Sequence, residues 1–133
     1  MGKVLVAYDG SDDARLALEY AAAKHGDDDI TVISVVPVPY SGRGGGIDPT
    51  SNVEDHRTAL DEAAGLLADR GVQAKTVESV GHPANAIIEA AEQGGYDLVI
   101  VGSRGLNAVA RFLTGSVSGR VVAHAPCSVL VVR

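Results

Sequence analysis

The chain alternates short apolar runs with longer stretches in which apolar residues recur every three or four positions. Five runs read as strands, over 3–8, 30–36, 72–80, 96–101 and 128–132. The third is the most polar, as suits a sheet edge. Between them the spacing is helical. Ala14, Ala17, Leu18 and Ala21 share one face behind Ser11, an N-cap residue, and His25-Gly26 closes that helix. A second helix, capped by Ser51 or Asn52, turns His56, Leu60, Ala63, Ala64 and Leu67 inward and ends at Arg70-Gly71. Pro83 stands near the first position of a third, which buries Ile87, Ile88 and Ala91 and stops at Gly94-Gly95. A fourth is expected over 116–124, and Pro126 separates it from the last strand. This strand–helix alternation predicts an α/β fold, a doubly wound parallel sheet with right-handed crossovers.

Composition narrows the picture. A chain of 133 residues is expected to form one domain, over 1–133, with a real core. That core must be built of Val, Ile, Leu and Ala, because there is one Phe and no Trp. A net charge of −6 argues against nucleic acid and against an anionic membrane as partners. The single cysteine, Cys127, excludes an internal disulfide, and no signal-peptide pattern opens the chain, so a cytoplasmic location is expected. Asp27-Asp28-Asp29 reads as a solvated turn. The Gly-rich segment 42–46 neither follows a strand directly nor opens a helix directly, and reads as a surface loop. The four histidines share no ligand spacing.

The chemistry gathers behind the fourth strand. Gly102 and Gly105 end it as a Gly-x-x-Gly turn, which lets backbone N–H groups approach an anion with no Cβ in the way. Gly115-Ser116 then opens a helix, offering more N–H groups, a hydroxyl and the positive end of a helix dipole. The two halves read as a cradle for a polyphosphate. There is no Gly-x4-Gly-Lys-Ser/Thr loop, and no lysine falls in the segment. No general base is placed to activate water, so fast hydrolysis is not expected and an enzyme is not the first expectation.

The pattern Gly102-x2-Gly105-x9-Gly115-Ser116 resembles the nucleotide-binding signature of the universal stress protein family. The likeness continues through Val117-Ser118-Gly119-Arg120-Val121-Val122, through Ala125-Pro126-Cys127-Ser128-Val129-Leu130-Val131-Val132, and through Val4-Leu5-Val6-Ala7-Tyr8-Asp9-Gly10-Ser11. It implies five parallel strands in the order 3-2-1-4-5, an adenine-nucleotide-hydrolase-like sandwich. Ligands of open α/β sheets bind outside the carboxyl ends of strands where chain direction switches, here between strands one and four.

The resemblance further implies a cytoplasmic, regulatory protein of the stress response that binds ATP or another adenine nucleotide. On the positions of this chain the cofactor-binding residues are Asp9, Val35, Gly102, Arg104, Gly105, Gly115, Ser116 and Val117. Asp9 is assigned to the ribose or, as the metal residue, to Mg²⁺ arriving with the nucleotide; an Asx turn is its bland alternative. Val35 matches the position whose backbone contacts adenine. Arg104 either clamps a phosphate or faces solvent. The last strand lies on an edge with no charge until Arg133, so a homodimer through that strand is expected, as the family commonly forms. Two alternatives stand beside this: a slow ATPase or autophosphorylating protein using Ser116 or a nearby hydroxyl, and a nucleotide-free dimeric adaptor.

Overall fold

The computed structural model describes residues 2–37, 49–102 and 116–132, with side chains over 2–36, 57–102 and 119–132. In chain order it contains β1 (Lys3–Ala7), α1 (Asp12–His25), β2 (Asp29–Pro37), α2 (Pro49–Asp69), β3 (Lys75–Gly81), α3 (Pro83–Gly94), β4 (Leu98–Gly102), α4 (Ser116–His124) and β5 (Ser128–Val132). The strands form one sheet in the order β3-β2-β1-β4-β5, every neighbouring pair parallel. Both the doubly wound class and the strand order agree with expectation.

Successive side chains of a strand point to opposite faces. Val4, Val6 and Tyr8 therefore meet α1 and α2 on one face, while Leu5 meets α3 and α4 on the other. The first face is closed by Ala14, Ala17, Leu18 and Ala21 of α1 with Ala59, Leu60, Ala63 and Leu67 of α2. The second is closed by Ala84, Ile87 and Ala91 of α3 and Val121 of α4. Small alanines at these contacts let the helices lie close to the sheet. Ion pairs Arg15–Glu62 (3.0 Å) and Arg70–Glu19 (3.5 Å) tie α1 to α2 along their outer flank.

Three local expectations are corrected by how the elements end. The second helix starts at Pro49, ahead of Ser51 and Asn52. Proline suits a first helical position, where its missing N–H is not needed. The third strand starts at Lys75 instead of Val72. Val72 closes α2: its N–H donates to the Leu67 carbonyl (2.9 Å), Gly71 N–H donates to Ala68 (2.9 Å), and Gly71 is left-handed at φ 78°. Val72 is thus drawn beneath the helix end, buried with Leu67. Tyr96 does the same for α3, donating to Ala91 (3.3 Å) beside left-handed Gly95, so β4 begins at Leu98.

The acidic turn is more than solvated. Asp28 Oδ1 accepts from Gly2 N–H (3.1 Å), and Asp28 Oδ2 pairs with His25 Nδ1 (2.9 Å). On the β4 side, Asp97 Oδ2 accepts from Lys3 N–H (2.9 Å). Two carboxylates from neighbouring elements thereby hold the start of β1, at the end of the sheet remote from the strands' carboxyl termini.

Candidate functional site

The chain leaves β1 for α1 on one face and resumes after β4 as α4 on the other. Strands β1 and β4 are neighbours, registered through Val6↔Ile100. Their carboxyl ends therefore border the crevice that such a reversal opens in an α/β sheet.

On the β1 side the backbone turns sharply. Gly10 is left-handed at φ 86°, a conformation that disfavours any side chain. Before it, Asp9 is half-buried and its Oδ1 accepts from the Ser11 N–H at 2.9 Å. The Asx turn weighed from the sequence is therefore formed, and it orients the carboxylate. Ser11 has extended dihedrals, and its hydroxyl accepts from the Ala14 N–H at 3.2 Å. That is the N-cap expected of it. Asp12 and Asp13 follow in the first turn of α1, where the helix dipole favours negative charge.

Tyr8, one residue before Asp9, is 2% exposed in the α1–α2 core. Burial pushes its phenol up from the ordinary value, while the guanidinium of Arg15 acts in the opposite direction. The phenol is therefore neutral at physiological pH.

Val35 lies on β2 beyond the end of β1. The β1–β2 register stops at Ala7↔Ile33, with Tyr8 N–H donating to the Ile33 carbonyl (2.9 Å); Val35 is registered with Ser79 of β3. Peptide groups alternate along a strand, so the N–H and C=O of Val35 point the same way as those of Ile33, toward the β1 side. Its half-buried side chain packs on the α3–α4 face.

On the β4 side stands Gly102, the last residue of the strand. A Cβ there would lie 2.9 Å from the carbonyl carbon and the Cβ of Asp13, and 3.0 Å from Ala14 N. Sequence reasoning assigned this glycine to the anion cradle and missed its contact with α1. A glycine after a strand looks the same for either role. Ser116 and Val117 are the first two residues of α4. Arg104, Gly105 and Gly115 lie outside the described residues. The structure thus brings Asp9, Gly102 and the mouth of Val35 to one edge of the sheet.

Among the described residues, no three His, Cys, Asp or Glu side chains converge as a metal site. Cys127 is half-buried, and burial followed by the charge of Asp97 pushes its thiol up, away from a reactive thiolate. No helix of the described residues is long and apolar enough to cross a membrane.

The model of the universal stress protein family matches residues 1–133. The chain belongs to this family. A universal stress protein of Thermus aquaticus is 40% identical over 139 residues, covering 98% of this chain and 97% of the relative. The universal stress protein YxiE of Bacillus subtilis is 34% identical over 145 residues, covering 98% of both. Among solved structures, the universal stress protein UspA from Lactobacillus plantarum superposes with a TM-score of 0.84 at 29% identity, over 99% of this chain and 97% of that one. The same fold, at lower identity, occurs in an Arabidopsis thaliana family member with AMP bound (24%, TM-score 0.76, 99% and 91% covered). It occurs again in an Archaeoglobus fulgidus member in complex with dAMP (23%, TM-score 0.72, 100% and 98% covered).

Proposed function

We propose that this universal stress protein binds an adenine nucleotide, ATP in particular, at the carboxyl ends of β1 and β4 and acts as a regulatory switch. The observation that carries this is the packing of the first turn of α1, which the Asp9–Gly10–Ser11 turn leads into, against Gly102, the residue from which the Gly-x2-Gly-x9-Gly-Ser segment departs. Family members captured with AMP and dAMP support the adenine class.

Charge orders the ligand within the crevice. Asp9, Asp12 and Asp13 make the α1 side acidic, so bare phosphates belong on the other side, toward the start of α4. Asp9, oriented by the Ser11 N–H, then faces either a ribose hydroxyl or a Mg²⁺ carried by the phosphates. The described residues offer that ion one oriented carboxylate rather than a cage, which fits a metal that keeps phosphate and water ligands. The peptide of Val35 offers a donor and an acceptor to the base.

Assembly belongs to the same proposal. Strand β5 is an edge of the sheet, and Val131 (37% exposed) and Val122 of α4 (54% exposed) leave apolar surface beside it. Antiparallel pairing with the same strand of a second copy would cover both the open hydrogen-bonding groups and these valines. Mass spectrometry of small molecules released from the gently purified protein tests the nucleotide assignment. An adenine nucleotide at near-stoichiometric ratio is expected. Protein that is ligand-free and takes up none on incubation with ATP contradicts the assignment.

A further inference from the structure

The contact at Gly102 extends further than one pair of residues. Two of the three atoms that a Cβ at 102 would strike, the carbonyl carbon of Asp13 and the N of Ala14, belong to the Asp13–Ala14 peptide of α1, and the third is the Cβ of Asp13. Real side chains do not approach backbone at 2.9 Å, so any larger residue must push the helix away. The N–H of that same peptide is the one capped by the Ser11 hydroxyl (3.2 Å). The N–H of Ser11 is in turn held by Asp9 Oδ1 (2.9 Å). Between the two, Gly10 has a left-handed geometry that few residues tolerate, which leaves the turn little room to adjust. Three successive contacts therefore lead from the end of β4 to the carboxylate of Asp9.

We propose that Gly102 is a positioning residue for Asp9: its missing side chain lets the first turn of α1 seat against β4 at the depth that presents the Asp9 carboxylate to the crevice. The consequence for ligand binding rests on the nucleotide proposal above. The mechanical link does not. In the cradle role expected from the sequence, loss of Gly102 removes phosphate contacts and is independent of Asp9. In the positioning role, its loss acts through Asp9.

The test is Gly102→Ala, read in two ways. Amide hydrogen exchange of the ligand-free protein should show Ser11 and Ala14 exchanging about tenfold faster or more, with Val99 and Ile100 unchanged. In ATP titrations with Mg²⁺, Gly102→Ala and Asp9→Ala should be non-additive, the double variant binding within about twofold of Asp9→Ala alone. Unchanged exchange at Ser11 and Ala14, or additive losses of affinity, would overturn the proposal. If the unmodified chain takes up no ATP, the nucleotide assignment fails while the exchange comparison still decides the link. If Gly102→Ala does not fold, the unmodified protein decides. A nuclear Overhauser contact between the Gly102 α-protons and the Ala14 amide is expected, and its absence overturns the link.

Discussion

Ser11 donates its backbone N–H to Asp9 Oδ1 at 2.9 Å and accepts the N–H of Ala14 on its hydroxyl at 3.2 Å. One residue thus fixes the candidate ligand group and caps the helix that covers β1 and β4. Ser11→Ala keeps the first bond and loses the second. It should destabilise the fold by about 1 kcal/mol, the usual effect of removing a cap. Urea unfolding measures this. An unchanged midpoint would mean that the hydroxyl does not cap α1.

Glycines in this chain fall into opposing classes. Gly71 is left-handed at φ 78°, whereas Gly65 sits within α2 with open space where a Cβ would go. Gly65→Ala should stabilise by about 0.5–1 kcal/mol through helix propensity. Gly71→Ala should destabilise by about 1 kcal/mol or more, because the backbone must hold φ > 0. Denaturation midpoints moving the same way in both variants would contradict the α2 boundary.

Acid sensitivity should pass in part through Asp28. The His25 hydrogen bond, and after it the Gly2 N–H, hold its carboxyl below the usual carboxylate range. A carboxylate favoured by the fold stabilises fully above its unfolded pKa of about 3.9, and the contribution disappears as pH falls through the lower folded value. Asp28→Asn should therefore lower stability at neutral pH and flatten the decline as the solution is acidified below about pH 5. Parallel pH profiles for the two proteins would show that Asp28 is not engaged at β1.

The β5 edge predicts assembly behaviour. Val131→Lys places a charge among apolar edge residues, a common protection against strand pairing. Light scattering at micromolar concentration should find a dimer for the unmodified chain and a monomer for the variant. A monomeric unmodified chain would contradict the reading of this edge.

Much of the fold was legible because punctuation and periodicity agree here. Ser11, Pro83 and Gly95 mark helix ends by mechanisms that depend only on local backbone geometry. The stripe at Ala14, Ala17, Leu18 and Ala21 is the buried stripe found. Val72 and Tyr96 read as strand residues because apolar residues that close a helix by a backward N–H bond look, in sequence, like the first residues of a strand. Asp28 reads as part of a solvated turn because one of its two partners, the amide of Gly2, is 26 positions away, and the other, His25, reads from the sequence only as a helix end. Strand order was not legible from periodicity, since non-local pairing leaves no local mark; it came with the family resemblance. That Asp9 and Gly102 stand at the carboxyl ends of β1 and β4 is legible from position, but the Gly102–Asp13 contact is not, because it exists only once β4 and α1 are packed.

Equilibrium titration of the purified chain with ATP, with and without Mg²⁺, tests the central claim most directly. Saturable one-site binding is expected, weakened when Mg²⁺ is withheld. Asp9→Ala should weaken it and remove most of the metal dependence, and Gly115→Val should reduce affinity several-fold or more with the fold retained, because a branched Cβ would block approach to helix-opening amides. Binding that is absent at millimolar ATP, or unaltered in a folded Gly115→Val variant, would contradict the account.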